Sequence, residues 1–176
     1  FWLWYSTRNK KEYLKDKNKK YTDNSLTYGE LTDDGIKSMF NDIDTTNKIF
    51  YDLGSGEGSV IINAINNFPQ LKKAIGIEYL KERNDIALER SKSLENRDKM
   101  EFIEGDFTDD KIDLSDADLI YISNLCLSDK TNNKIADKIN REVKQGAIVF
   151  SISKMPLKNV KNCFMRDVNQ SWNKDS

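Results

Sequence analysis

The chain has no histidine and only two cysteines in its 176 residues. The first absence excludes a Ser-His-Asp triad, a histidine general base and any zinc site with imidazole ligands. With Cys126 and Cys163 as the only thiols, neither a disulfide framework nor a four-ligand zinc site can be built. An excess of one charge sign is also missing: the formal net charge is −1. Nothing global therefore pulls the chain toward nucleic acid or a membrane. Long apolar runs are lacking as well. Phe1-Trp2-Leu3-Trp4-Tyr5 is far short of the roughly 20 residues a bilayer span needs. Any catalysis must work by positioning, electrostatics or a cofactor.

The chain is 38% hydrophobic and 32% charged, with apolar residues at regular intervals. That fits one folded, surface-rich domain with a real core. Charge is unevenly spread. Arg8, Lys10, Lys11, Lys15, Lys17, Lys19 and Lys20 face only Glu12 and Asp16. Residues 1–25 are expected to be a basic N-terminal arm and residues 26–176 the folded domain. The opening on Phe1 reads as a piece of a longer protein. Its first five residues are either the end of a lost membrane anchor or an ordinary docking tail or frayed terminus.

Thr32 is placed to cap a helix reaching Ile43, with Ile36, Met39, Phe40 and Ile43 on one face. Strands are expected at 49–53, 74–78, 101–104, 119–123 and 147–151, with a partial one at 164–168. Helices are expected at 59–67, stopped by Pro69, at 80–94, and at 129–143 before Gly146. Strands alternating with helices imply parallel crossovers and a three-layer α/β sandwich. Ligands in such sheets lie at the carboxyl ends of the strands.

The chemistry-bearing residues collect at those ends. Tyr51-Asp52-Leu53-Gly54-Ser55-Gly56-Glu57-Gly58 reads as a strand, a tight turn and a helix start. Its glycines permit φ > 0 and let backbone approach a ligand. The spacing is GxGxG rather than the GxGxxG of dinucleotide sites, which suits S-adenosylmethionine, a ligand without pyrophosphate. Asp52 is placed to orient the turn and the ligand's methionyl amine; the alternative, compatible with the first, is a purely structural turn acid. Glu78 ends the second strand, where a carboxylate can accept from both ribose hydroxyls; the alternative is a solvated acid capping the next helix. Asp106 can accept from the adenine amine and Phe107 can cover the ring; the alternative is a turn acid and a core Phe. Ser123-Asn124-Leu125-Cys126-Leu127 faces the methyl group, and Ser123 or Asn124 is placed to hold an acceptor amine; the alternative is an ordinary strand-end turn. This loop lacks the Pro-Pro-aromatic signature of enzymes that methylate adenine or glutamine amides.

Tyr28-Gly29-Glu30, Asp52 to Gly56, Gly76-Ile77-Glu78, Gly105-Asp106-Phe107, Asn124 and Ser151-Ile152-Ser153-Lys154 occur in an order that resembles the disruptor-of-telomeric-silencing (DOT) histone lysine methyltransferases. The likeness runs from about residue 26 to the end. It implies a Rossmann-like class I methyltransferase sandwich with a mostly parallel sheet, its final strand missing from this chain. It implies that S-adenosyl-L-methionine is held by Tyr28, Glu30, Asp52, Gly54, Gly56, Gly58, Glu78, Asp106 and Phe107. Asn124, Ser123 and Trp172 would serve a lysine channel. The acceptor would be a lysine on the globular core of histone three in nucleosomes. It further implies a monomer without metal, in the nucleus or on chromatin, whose arm at 8–20 contacts DNA nonspecifically. Departures are Leu31, where a hydroxyl residue is expected, and a loop after the fourth strand poorer in Asn and Phe. Two alternatives stay open: a lysine methyltransferase for a non-histone protein, tethered to a membrane, and a cofactor-binding pseudoenzyme or interaction module.

The missing histidines are compatible with such chemistry. Deprotonating a lysine at pH 7 costs roughly 4–5 kcal/mol. A sulfonium charge about 4 Å from the amine, at an effective ε near 20, disfavours the ammonium by roughly 4 kcal/mol. Desolvation acts in the same direction.

Overall fold

A computed structural model of the chain describes residues 2–5, 31–165 and 168. Among them, seven parallel strands form one sheet: β1 (Trp2–Tyr5), β2 (Ile49–Leu53), β3 (Lys73–Glu78), β4 (Met100–Glu104), β5 (Leu119–Ile122), β6 (Ile148–Ser151) and β7 (Asn162–Met165). Their order across the sheet is β4-β3-β2-β5-β6-β1-β7. Helices α1 (Asp33–Phe40), α2 (Ser59–Asn67), α3 (Lys81–Ser91) and α4 (Asp129–Glu142) cover its faces. This is the three-layer α/β sandwich anticipated from the alternation of strands and helices, with the mostly parallel, Rossmann-like sheet that the resemblance implies.

Strand β2 shows why the layers form. It is buried along its whole length, and its side chains alternate between two cores, as a period of two requires. Ile49, Tyr51 and Leu53 face Ile135, Ile139 and Val143 around α4. Phe50 faces the opposite way, into a core with Ile36, Phe40, Ile61 and Ile65. Phe40 meets Phe50 edge-on at 5.1 Å between ring centres, an arrangement favoured by the ring quadrupoles. Thr32 caps α1 as its sequence position suggests, its Oγ1 accepting from Gly35 N–H at 3.1 Å.

Two tight contacts fix the crossover from β2 through α2 to β3. A Cβ on Gly58, which has φ +81°, would lie 2.6 Å from Phe102 Cε1 and 2.8 Å from the Ala87 methyl. A Cβ on Gly76 would lie 2.6 Å from Ser55 Oγ. The turn after β2 therefore settles into a notch in β3 that only glycine leaves open.

The strand starts are stapled by Asp118. Its Oδ2 accepts from Ile49 N–H at 2.9 Å. Its Oδ1 meets Lys144 Nζ at 2.9 Å and Lys48 Nζ at 3.7 Å. Its backbone donates to Ile49 O and accepts from Ile148 N–H, so one residue aligns β2, β5 and β6.

The residues read as the head of an N-terminal arm are corrected in part. Trp2–Tyr5 lie in the sheet between β6 and β7, with Trp2 opposite both Ile148 and Asn162. An aromatic-rich run has strong strand preference, and a parallel partner distant in sequence leaves no local turn signal to announce it. The arm at 8–20 lies outside the described residues. The last described strand spans Asn162–Met165 rather than 164–168, and its side chains are exposed at the sheet edge. No helix among the described residues is long and apolar enough to cross a membrane.

Gly58→Ala is expected to lower stability by roughly 2–4 kcal/mol, from left-handed strain plus overpacking, read as a lower urea midpoint. Asp118 gives a pH signature. Burial alone would raise its pKa, but the Ile49 N–H and the Lys144 and Lys48 ammonium groups hold it below the usual 3.8. A depressed carboxylate stabilises fully above its unfolded pKa and loses that contribution as pH falls through its folded value. Asp118→Asn should therefore destabilise at neutral pH by about 1.5–3 kcal/mol. It should also flatten the loss of stability below about pH 4, measured by urea melts across pH 2–7.

Candidate cofactor and acceptor site

The glycine turn leaves β2 at its carboxyl end. Gly54, Gly56 and Gly58 have φ of +97°, +54° and +81°, so all three use the left-handed freedom read from their spacing. Gly54 N–H and Ser55 N–H both donate to Ile77 O, at 2.8 and 3.0 Å. Gly58 N–H closes the turn on Ser55 O at 2.9 Å. Gly58 is the N-cap of α2 and supplies no side chain there, so the amides of the first helical turn remain available to a polar group.

Glu78 is 5% exposed. Its Oε2 accepts from Gly56 N–H at 2.8 Å and its Oε1 from Leu80 N–H at 2.9 Å. The carboxylate thus joins the glycine turn to the start of α3. A carboxylate has about four lone-pair sites, so each oxygen keeps capacity for one ribose hydroxyl. The alternative of a solvated acid does not describe this group, although its contact with Leu80 N–H is a helix-start contact.

Gly105 N–H donates to Glu78 O at 2.9 Å, which sets Asp106 and Phe107 beside the same turn. Phe107 Cε1 would sit 3.9 Å from a Cβ on Gly54, so the ring backs the turn directly. Phe107 also packs against the α4-side core, as the alternative of a core Phe expects. Asp106 is exposed. Its Oδ1 accepts from both Thr108 N–H and Thr108 Oγ1, each at 2.8 Å. This Asx turn leaves Oδ2 for an adenine amine. Asp52 is 2% exposed at the end of β2, in register with Gly76 and Tyr121, below the turn it was expected to orient.

The acceptor side takes a different form from the one anticipated. Asn124 is 1% exposed and its amide is engaged three times. Nδ2 donates to Asn132 Oδ1 at 2.9 Å and to Ser153 O at 3.0 Å, while Oδ1 accepts from Ser153 N–H at 2.8 Å. Both donor hydrogens are used, which leaves one lone pair on Oδ1. Ser123 is half-buried at the end of β5. Around Asn124 opens a cleft of about 560 Å³ lined by Leu125, Leu127, Asn132, Ser153, Lys154 and Met155, among others. Asn132 was not singled out from the sequence, and Ser153 only as a member of the Ser151–Lys154 motif; nothing local signals a contact across 29 positions. Tyr28, Glu30 and Trp172 lie outside the described residues.

The residues present fit S-adenosyl-L-methionine. A glycine turn without Cβ obstruction, a buried acid with spare acceptor capacity and an aromatic ring converge at one sheet end. The family model described as "Histone methylation protein DOT1" matches residues 8–174. A protein-lysine N-methyltransferase of Saccharolobus islandicus (strain REY15A) is 32% identical over 103 residues, covering 58% of this chain and 60% of that protein. The chain thus spans about 60% of the length of that relative. Among solved structures, an RNA methyltransferase from Salinibacter ruber in complex with S-adenosyl-L-homocysteine superposes with a TM-score of 0.57 at 24% identity. It covers 68% of this chain and 76% of that one. An S-adenosyl-L-methionine-dependent methyltransferase, itself putatively assigned, from Methanococcus maripaludis gives 0.57 at 22% identity, covering 68% and 54%. The fold is that of class I methyltransferases, whose cofactor is S-adenosyl-L-methionine, and the chain belongs to the DOT1 histone methylation family.

Proposed function

We propose that this chain is the methyltransferase domain of a protein-lysine N-methyltransferase that uses S-adenosyl-L-methionine. The observation that carries the reading is the Glu78 carboxylate, which bridges Gly56 N–H and Leu80 N–H while retaining acceptors for ribose. When bound, the cofactor supplies an electrophilic methyl group. The chain's own residues do the rest. Glu78, Asp106 and Phe107 grip the nucleoside part, and the glycine turn gives the backbone close approach. The Asn124 cleft at the ends of β5 and β6 receives the acceptor. A chain without histidine has no imidazole base to offer. The amine is therefore made neutral by its surroundings, and alignment is the main catalytic contribution.

The finer reading is a lysine on the globular core of histone three in nucleosomes, with the basic stretch 8–20 pairing with DNA phosphates and the protein acting as a monomer on chromatin. Family membership supports it. A second reading, a non-histone protein acceptor, is favoured by the Saccharolobus islandicus relative, whose name specifies protein lysine alone.

Glu78→Ala should weaken S-adenosyl-L-methionine binding by roughly 10–100-fold, the loss of one or two charge-assisted hydrogen bonds. Titration calorimetry checks this, and no binding to the unaltered chain would sink the cofactor assignment. For the acceptor, the full chain is incubated with labelled cofactor and nucleosomes, free histones or a protein mixture. Label on histone three in nucleosomes, lost steeply as salt rises, is the expected outcome. Label confined to other proteins selects the second reading.

A further inference from the structure

The acceptor cleft is held shut at its base by a side-chain amide acting as a piece of backbone. Asn124 exchanges two hydrogen bonds with Ser153, giving one to its carbonyl and taking one from its N–H. Neighbouring strands exchange bonds in this way, but here one partner is a side chain. The exchange works in one orientation only, because a flipped amide would face carbonyl with oxygen and N–H with NH2.

Asn132 sets that orientation. Its Oδ1 accepts the second Asn124 Nδ2 hydrogen at 2.9 Å. Its own Nδ2 donates to Leu127 O at 3.2 Å and Ser128 O at 3.3 Å. Asn132 stands in the first turn of α4, which Ser128 caps by accepting from Thr131 N–H at 3.2 Å. Ile135, Ala136 and Ile139 of α4 are fully buried and anchor the helix independently of the amide. The amide network therefore adds little to holding α4 in place. It joins the loop 123–128 to the segment 153–156, and both line the cleft.

We propose that Asn132 is a positioning residue for methyl transfer, fixing the Asn124 amide so that the two walls of the cleft keep one shape. This rests on reading the cleft as the acceptor site. The shortest side-chain contact of Asn132 is the one through Oδ1 to Asn124 Nδ2, so truncation to alanine releases the Asn124 amide directly.

With the full chain, saturating cofactor and nucleosomes as substrate, Asn132→Ala should lower kcat by about tenfold or more, while cofactor Kd stays within about threefold. Hydrogen exchange at the Ser153 amide supplies a readout independent of turnover. It should accelerate about tenfold or more in Asn132→Ala. Unchanged Ser153 exchange in Asn132→Ala overturns the proposal, as does an unchanged kcat in that variant. If the unaltered chain transfers no methyl group to nucleosomes or to any other protein, the functional reading fails, and Ser153 exchange still decides whether Asn132 fixes the Asn124 amide.

Discussion

A buried carboxylate organises the cofactor end of this molecule. Glu78 sits almost out of solvent and gives its two oxygens to backbone amides on opposite sides, Gly56 in the turn and Leu80 at the start of α3. Burying a carboxylate is costly unless its oxygens are satisfied. The turn must therefore present Gly56 N–H inward, and β3 must end where it does. Ser55 can follow only because Gly76 has no Cβ, and α2 can start close to the sheet only because Gly58 has none. One electrostatic requirement thus propagates into three glycine positions and one helix start.

The two halves of the candidate site are built by different means. The cofactor half is preorganised by backbone: left-handed glycines, a shared acceptor at Ile77 O and a helix start. Two acids and one ring, Glu78, Asp106 and Phe107, stand beside the glycine turn. The acceptor half is preorganised by side-chain amides that hold two loops together. Amides carry no charge and do not titrate, so the wall they form keeps its shape across pH. That suits a chain in which no imidazole is present to move a proton.

The cofactor half was legible in the sequence because its signals are local. Strand β2 and helix α2 fall on their expected bounds, since β-forming residues, spaced glycines and Pro69 lie next to each other in the chain. Phe107, singled out for its position after a strand, lies beside the glycine turn. Elsewhere the signals are long-range. The β5 strand ends at Ile122 rather than Ser123, because Asn124 then pairs with Ser153. Helix α3 ends at Ser91 rather than Leu94, where Ser91 Oγ turns back to Leu88 O and Leu94 N–H closes on Ser91 O. Asn132 was invisible for the same reason. Its partners are set by topology, and an Asn beside Asn133 in a polar helix start reads as surface. Trp2–Tyr5 carried strand preference, but no nearby partner marked it.

The placement of that first strand has a consequence for the order in which the protein acquires its structure. Strands β2 to β5, with their crossover helices, come from one continuous stretch and can assemble as it leaves the ribosome. The β6-β1-β7 side cannot close until the two ends of the described chain meet, a contact of high sequence separation and therefore slow to form. The cofactor-holding half is thus the early-forming part of the nascent chain. The far side of the sheet is the late step, and until it is taken the β6 edge stands open to pairing with other chains.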